Sequence, residues 1–112
     1  MSYQVLVSDN AKKDLEGIAD YICNSLYAPV AAQKILKKLQ DSILGLSDFP
    51  ERYPIYTEEP WQSRGVRKMN DGNYNIFYVV QKIQVVVLRV FYVGQDVPSL
   101  LNEPQNRPNS NS

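Results

Sequence analysis

Apolar positions along this chain change period twice, and the changes divide it into elements. Tyr3, Val5 and Val7 alternate with Ser2, Gln4 and Leu6, which predicts a short first strand over residues 2–7 with one strongly apolar face. Ser8-Asp9 then offers a helix N-cap. Ala11, Leu15, Ile18, Ile22 and Leu26 recur at spacings of four, three, four and four, placing an apolar stripe on a helix over residues 10–26. Ala28-Pro29 breaks that pattern, and proline suits the first turn of a following helix because its missing N–H would lack a partner there anyway. Ala32, Ile35, Leu36, Leu39, Ile43 and Leu46 supply the second stripe, and Pro50 sets its end within residues 47–49.

Beyond Pro50 the period shortens to two. Residues 49–61 carry Pro50, Pro54 and Pro60 with little periodicity and read as a crossing loop pinned by Phe49, Tyr53, Tyr56 and Trp61. Strands are then expected over residues 62–69, 73–81 and 84–93, separated by Asn70-Asp71-Gly72 and Lys82-Ile83. Connections this short favour antiparallel hairpins, with Gly72 available for a positive φ. The expected fold class is α+β: a β-α-α-β-β-β domain over residues 1–101, in which the N-terminal strand and a helical hairpin pack on an antiparallel sheet. After Leu101 the sequence N-E-P-Q-N-R-P-N-S-N-S is polar and apolar-free, so residues 102–112 are expected to be a disordered tail.

Alternation also sorts the strand residues by face. Tyr74, Ile76, Tyr78 and Val80 form one packable face, with Asn73, Asn75, Phe77 and Val79 opposite. In the last strand Val86, Leu88, Val90 and Tyr92 share one face, and Val85, Val87, Arg89 and Phe91 the other. Both faces are largely apolar, so one carries the helices and the other needs a loop, a strand or a partner. Tyr74 and Tyr78 read as core. Arg89 is a charge on a greasy strand, a position that calls for a ligand or for an ion pair with Asp96 or Glu58.

Composition narrows the chemistry. A chain of 112 residues suits one domain with one modest core. It contains no histidine, which removes the commonest general base and transition-metal ligand, so no metal site is expected. No glycine-rich phosphate loop is present and no cofactor is expected. The lone Cys23 lies in an apolar helical pattern and reads as filler. No apolar run approaches the ~18 residues of a membrane span, and the N-terminus lacks a signal-peptide pattern, so the expected location is cytoplasmic. Twelve cations balance twelve acids, but between Gln62 and Val93 Arg64, Arg67, Lys68, Lys82 and Arg89 face only Asp71. Such an imbalance gives a neutral protein a positive face suited to a nucleic acid or an acidic partner.

An ordered set of short motifs carries a resemblance. These are A-x-x-D-L-x-x-I-x-x-Y-I at Ala11 to Ile22, A-P-x-A-A-x-x-I-L at Ala28 to Leu36, I-L-x-L-x-x-F-P-E-R-Y-P at Ile43 to Pro54, R-K at Arg67-Lys68, N-Y-x-I-F-Y at Asn73 to Tyr78 and L-R-V-F-Y at Leu88 to Tyr92. Together they resemble the RelE/ParE superfamily of toxins from bacterial type II toxin–antitoxin systems over residues 3–101. The resemblance implies a growth inhibitor, associated with plasmid stabilization, that is neutralised by a cognate antitoxin. RelE-like members are ribosome-dependent mRNA endonucleases (mRNA interferases), whereas ParE-like members inhibit DNA gyrase. On the first pattern Arg64, Arg67, Lys68 and Asn75 would bind RNA on the ribosome, while Arg89 and Tyr92 would be catalytic, stabilising charge on phosphorus and transferring protons without a metal. That reading comes first here. Asn75 stands where the nuclease pattern has Arg, however, and V-G-Q-D at Val93 to Asp96 replaces an Arg-rich turn. Gyrase inhibition and an inactive relic that only binds its antitoxin remain the alternatives.

Overall fold

The computed structural model describes residues 2–95. Its elements run β1 (Gln4–Val7), α1 (Asp9–Asp20), α2 (Pro29–Leu44), β2 (Arg67–Asp71), β3 (Tyr74–Gln81) and β4 (Gln84–Tyr92). The expected tail over residues 102–112 lies outside the described residues, as does Asp96.

The two helices lie on one face of a four-stranded sheet ordered β1-β4-β3-β2. β2, β3 and β4 form the two antiparallel hairpins that their short connections require, with Gly72 and Lys82 at φ 61° and 57° in the turns. β1 adds to the free side of β4 as a parallel partner, so the sheet is mixed. The α1–α2 hairpin supplies the long crossover that such a parallel arrangement needs.

Each helix buries the stripe that its sequence predicts, with one exception. Ala11, Leu15 and Ile22 of the first segment and Ala32, Leu39, Ile43 and Leu46 of the second are buried, most of them against Ile76, Tyr78, Val85, Val87 and Val90 of the sheet. Leu26 is exposed instead, because the first helix widens into a π-turn over Tyr21–Ser25 and rotates its last residues off the stripe. Ser8 fixes where α1 begins: its Oγ accepts from Ala11 N at 3.1 Å and donates to Leu88 O at 2.9 Å.

Four further expectations need correction. The second strand starts at Arg67 rather than at Gln62, since Gln62 to Gly65 close a turn with Gly65 at φ 74°. Phe49 does not pin the loop: it sits at φ 48° with its ring 79% exposed, while Tyr53 packs on the core and Trp61 is buried. The faces of β4 switch at a bulge. Phe77 is opposite Arg89 but Tyr78 is opposite Val87, leaving Leu88 as the extra residue. Val85, Val87 and Val90 therefore all join the helix-side core, which strict alternation forbids. Finally, the partner of Arg89 is Asp14 of α1 rather than Glu58.

Tyr78 is fully buried, and its hydroxyl donates to Pro50 O at 2.6 Å, tying the loop to the sheet. Burial pushes its pKa up to about 12, against a weaker opposing pull from Arg67. Below the unfolded value of 10.0 this tyrosine is neutral in both states and its contribution is complete. As pH rises from 10.0 towards about 12 the unfolded chain ionises first, so stability falls. Tyr78→Phe is expected to remove that component of the alkaline slope in urea melts, while losing about 1 kcal/mol at neutral pH for the missing hydrogen bond.

Candidate functional site

The sheet face away from the helices carries Lys68, which pairs with Phe77, and a loop covers part of it. Trp61 and Val66, with Tyr56, pack on Phe77 and Phe91 to form a second, smaller core. The contacts are aromatic: Tyr56 meets Phe77 edge-on at 5.4 Å between centroids, and Phe77 meets Phe91 at 5.7 Å with the rings tilted at 53°. Trp61 Nε1 is buried there with no acceptor among the described residues. We have no physical account of that orphan donor.

Arg67 holds the loop to the sheet. Its guanidinium donates to Tyr53 O at 2.6 Å and Glu51 O at 3.1 Å, and Ile55 bridges to it through the backbone. Arg64 and Lys68 are placed differently, lying over aromatic rings: Arg64 over Trp61 at 5.1 Å and Lys68 over Tyr56 at 5.8 Å. Arg52, which sequence reasoning missed, repeats the arrangement over Tyr53 at 4.8 Å. Among the described residues none of Arg52, Arg64, Arg67 and Lys68 has a carboxylate within ion-pair distance. The loop thus presents cations on flat apolar supports, an arrangement that suits either an acidic peptide or stacked bases with phosphates.

Asn75 is buried rather than presented. Its Oδ1 accepts from Asn70 Nδ2 at 3.1 Å across the β2–β3 ladder, which satisfies it within the sheet.

Arg89 and Tyr92 stand apart. Asp14 Oδ2 accepts from Arg89 Nε at 2.8 Å, its Oδ1 from Arg89 Nη2 at 2.9 Å, and Oδ2 again from the backbone N–H of Val90 at 2.9 Å. The Arg89 and Asp14 side chains are only 11% and 15% exposed, and the guanidinium also lies over Phe91. Tyr92 is half-exposed on the other side of the sheet, opposite Tyr74 in register and edge-on to its ring at 6.1 Å. Tyr74 itself is raised in pKa, first by burial and then by Tyr92 and Tyr21 nearby. The structure therefore brings Arg64 and Lys68 to the loop-covered face, sets Arg67 on the helix side of β2 opposite Tyr78, and turns the Arg89 guanidinium to Asp14 of α1 while Tyr92 meets Tyr74. Asp14 was the other residue missed, although a carboxylate beside Leu15 on the stripe edge is where a partner for a strand arginine can reach. No group of three or more His, Cys, Asp or Glu side chains among the described residues can hold a metal ion.

A family model described as the ParE toxin of the type II toxin–antitoxin system parDE matches residues 5–97. Among solved structures, one from a chromosomal ParDE system of P. aeruginosa superposes with a TM-score of 0.69 at 20% identity, covering 82% of this chain and 97% of that one. A chain of the RelBE2 toxin–antitoxin complex of Mycobacterium tuberculosis gives 0.63 at 23% identity, covering 82% and 92%. At these identities the likeness is one of fold. No curated protein sequence matches the chain.

Removing one side of the Asp14 arrangement leaves a charge and a backbone N–H stranded. Asp14→Ala is expected to lower stability by about 3 kcal/mol, the range for breaking a buried pair. A joint Asp14→Leu/Arg89→Met replacement should recover part of that loss. Urea midpoints at unchanged m-value check both.

Proposed function

Because the chain belongs to the ParE toxin family of type II toxin–antitoxin systems, we propose that this toxin arrests growth by binding a protein target, DNA gyrase, rather than by cutting RNA. The observation that carries this reading is the engagement of Arg89. Metal-free RNA cleavage needs a cation at the phosphorus and a proton donor or acceptor within about 3 Å of the reacting oxygens. Here the guanidinium is held by both carboxylate oxygens of Asp14, which also accepts from the Val90 N–H, and Tyr92 packs edge-on against Tyr74. Arg67 is engaged with main-chain carbonyls.

Ribosome-dependent mRNA cleavage is the second reading, and one feature favours it. Arg64 and Lys68 on their aromatic supports suit phosphates and bases in a way that a purely structural loop does not require. Under that reading Arg64, Arg67, Lys68 and Asn75 contact mRNA, and Arg89 and Tyr92 act on it.

Induced expression without antitoxin separates the two. We expect intact transcripts together with relaxed or broken DNA, and undiminished toxicity of Tyr92→Phe. New transcript 5′ ends inside translated codons, absent when translation is blocked, would overturn the gyrase reading in favour of the nuclease.

The cognate antitoxin has its own electrostatic expectation. Ring-stacked Arg52, Arg64 and Lys68, with no carboxylate in ion-pair distance among the described residues, favour an acidic antitoxin segment there. Affinity should fall about tenfold between 0.1 and 0.5 M salt, and Arg64→Ala/Lys68→Ala should flatten that dependence. Calorimetric titrations at several salt concentrations measure it.

A further inference from the structure

The end of the helical hairpin is built unlike the rest of the surface. From Tyr21 to Gln33 the sequence Y-I-C-N-S-L-Y-A-P-V-A-A-Q contains no charged residue, in a chain where 21% of residues are charged. Four large apolar side chains within this stretch point outward: Tyr21 is 59% exposed, Leu26 54%, Tyr27 87% and Val30 64%.

The backbone there is held in two unfavourable ways. The π-turn over Tyr21–Ser25 closes with Leu26 N–H on Tyr21 O at 3.2 Å, a rare closure that is frequent at functional sites. Tyr27 follows at φ 54°, and Ala28 N–H reaches back to Ile22 O at 3.1 Å. This bond reaches one residue further back than the usual six-to-one closure of a helix C-terminus, whose left-handed residue is normally glycine. The chain keeps a tyrosine where glycine would be easier, and then leaves its ring in water. Nothing in the fold explains that choice. Phe49 shares the left-handed backbone and the exposure, but charged Asp48, Glu51 and Arg52 surround it, so it forms no comparable apolar surface.

We propose that this charge-free hairpin tip, with Tyr21, Leu26, Tyr27 and Val30, is the surface by which the toxin grips its protein target, and that it inserts into an uncharged apolar cleft there. The proposal rests on the protein-target reading. Charge matching selects the occupant: a polyanion gains nothing from a surface without cations, and an acidic antitoxin segment is served by Arg52, Arg64 and Lys68 on the loop. Buried interface centres are depleted of charge and rich in tyrosine, as this tip is.

Two substitutions test it without harming the fold. Tyr27→Gly supplies the residue that the left-handed position prefers, and Val30→Glu places an acid in the first turn of α2, where the helix dipole favours it. Both variants should melt at or above the wild-type temperature. In a supercoiling assay with purified gyrase and full-length toxin, each should raise the half-inhibitory concentration about tenfold or more, while antitoxin affinity stays within about twofold. Equal inhibition by wild type and variants would overturn the proposal while leaving the gyrase reading intact. A parallel loss of antitoxin affinity would assign the tip to the antitoxin. A wild-type dimer that both substitutions split, seen by light scattering, would assign it to a second copy, and each of these would also overturn the proposal. Wild-type toxin that leaves supercoiling unchanged would instead remove the reading beneath it.

Discussion

One carboxylate holds the two halves of this fold in register. β4 is nine residues long, and β1 pairs only with its first four, from Gln84 to Val87. The remaining outer edge of β4 would present open backbone groups to an apolar helix. α1 takes over where β1 stops: Ser8 Oγ donates to Leu88 O, and Asp14 accepts from Val90 N–H and from two nitrogens of Arg89. Three donors on one buried carboxylate convert what would be a desolvation penalty of several kcal/mol into a satisfied junction. A hydrophobic pair could be as stable, but it could not accept the Val90 N–H. The ion pair is thus tied to the strand edge, which fixes where α1 crosses the sheet and where the bulge at Leu88 falls.

From that junction follows the division of the surface. The bulge sends Val90 to the helix side and leaves Arg89 and Phe91 on the other, so the second face of the sheet is aromatic and needs covering. The loop from Phe49 to Val66 covers part of it, held by Arg67, by the Tyr78 hydroxyl and by Trp61. Its covering residues Trp61 and Tyr56 then carry Arg64 and Lys68 on their rings, while Tyr53, packed on the helix-side core, carries Arg52. The hairpin tip is the opposite kind of surface, apolar and without charge. The two surfaces therefore differ in kind, one where charge can select a partner and one where only desolvation can contribute affinity.

Much of this was readable in the residues. Two helical stripes at 3.6 spacing, the Pro29 start, the Gly72 turn and the β3 faces are local signals, and packing reinforces each of them. The failures have a common cause, namely long-range geometry overriding a local pattern. In Gln84 to Val93 nearly every residue is apolar, so one inserted residue changes the faces without changing the pattern, and the bulge is invisible. Gln62 and Ser63 suit a strand as well as a turn, and the turn prevails because Trp61 must reach Phe77 and Phe91. Leu26 continues the stripe in one dimension but not after the π-turn. At the candidate site, the cations were legible as residue types, whereas their roles were not: Arg67 and Arg89 are distinguished from Arg64 and Lys68 by which acceptors lie nearby.

That distinction bears on how one small fold serves different chemistries. An arginine on the fourth strand becomes a phosphate ligand only if its guanidinium is unspoken for, and a carboxylate one helix away can claim it while improving the backbone's own hydrogen bonding. The substitution that matters for activity therefore need not lie at the reacting centre. In this chain Asp14 both completes the strand edge and occupies Arg89, so one carboxylate serves the backbone and the cation together. Reversing it would expose a charge and strand the Val90 N–H together, a coupled penalty that leaves the surface, rather than the sheet interior, as the part of the molecule free to specialise.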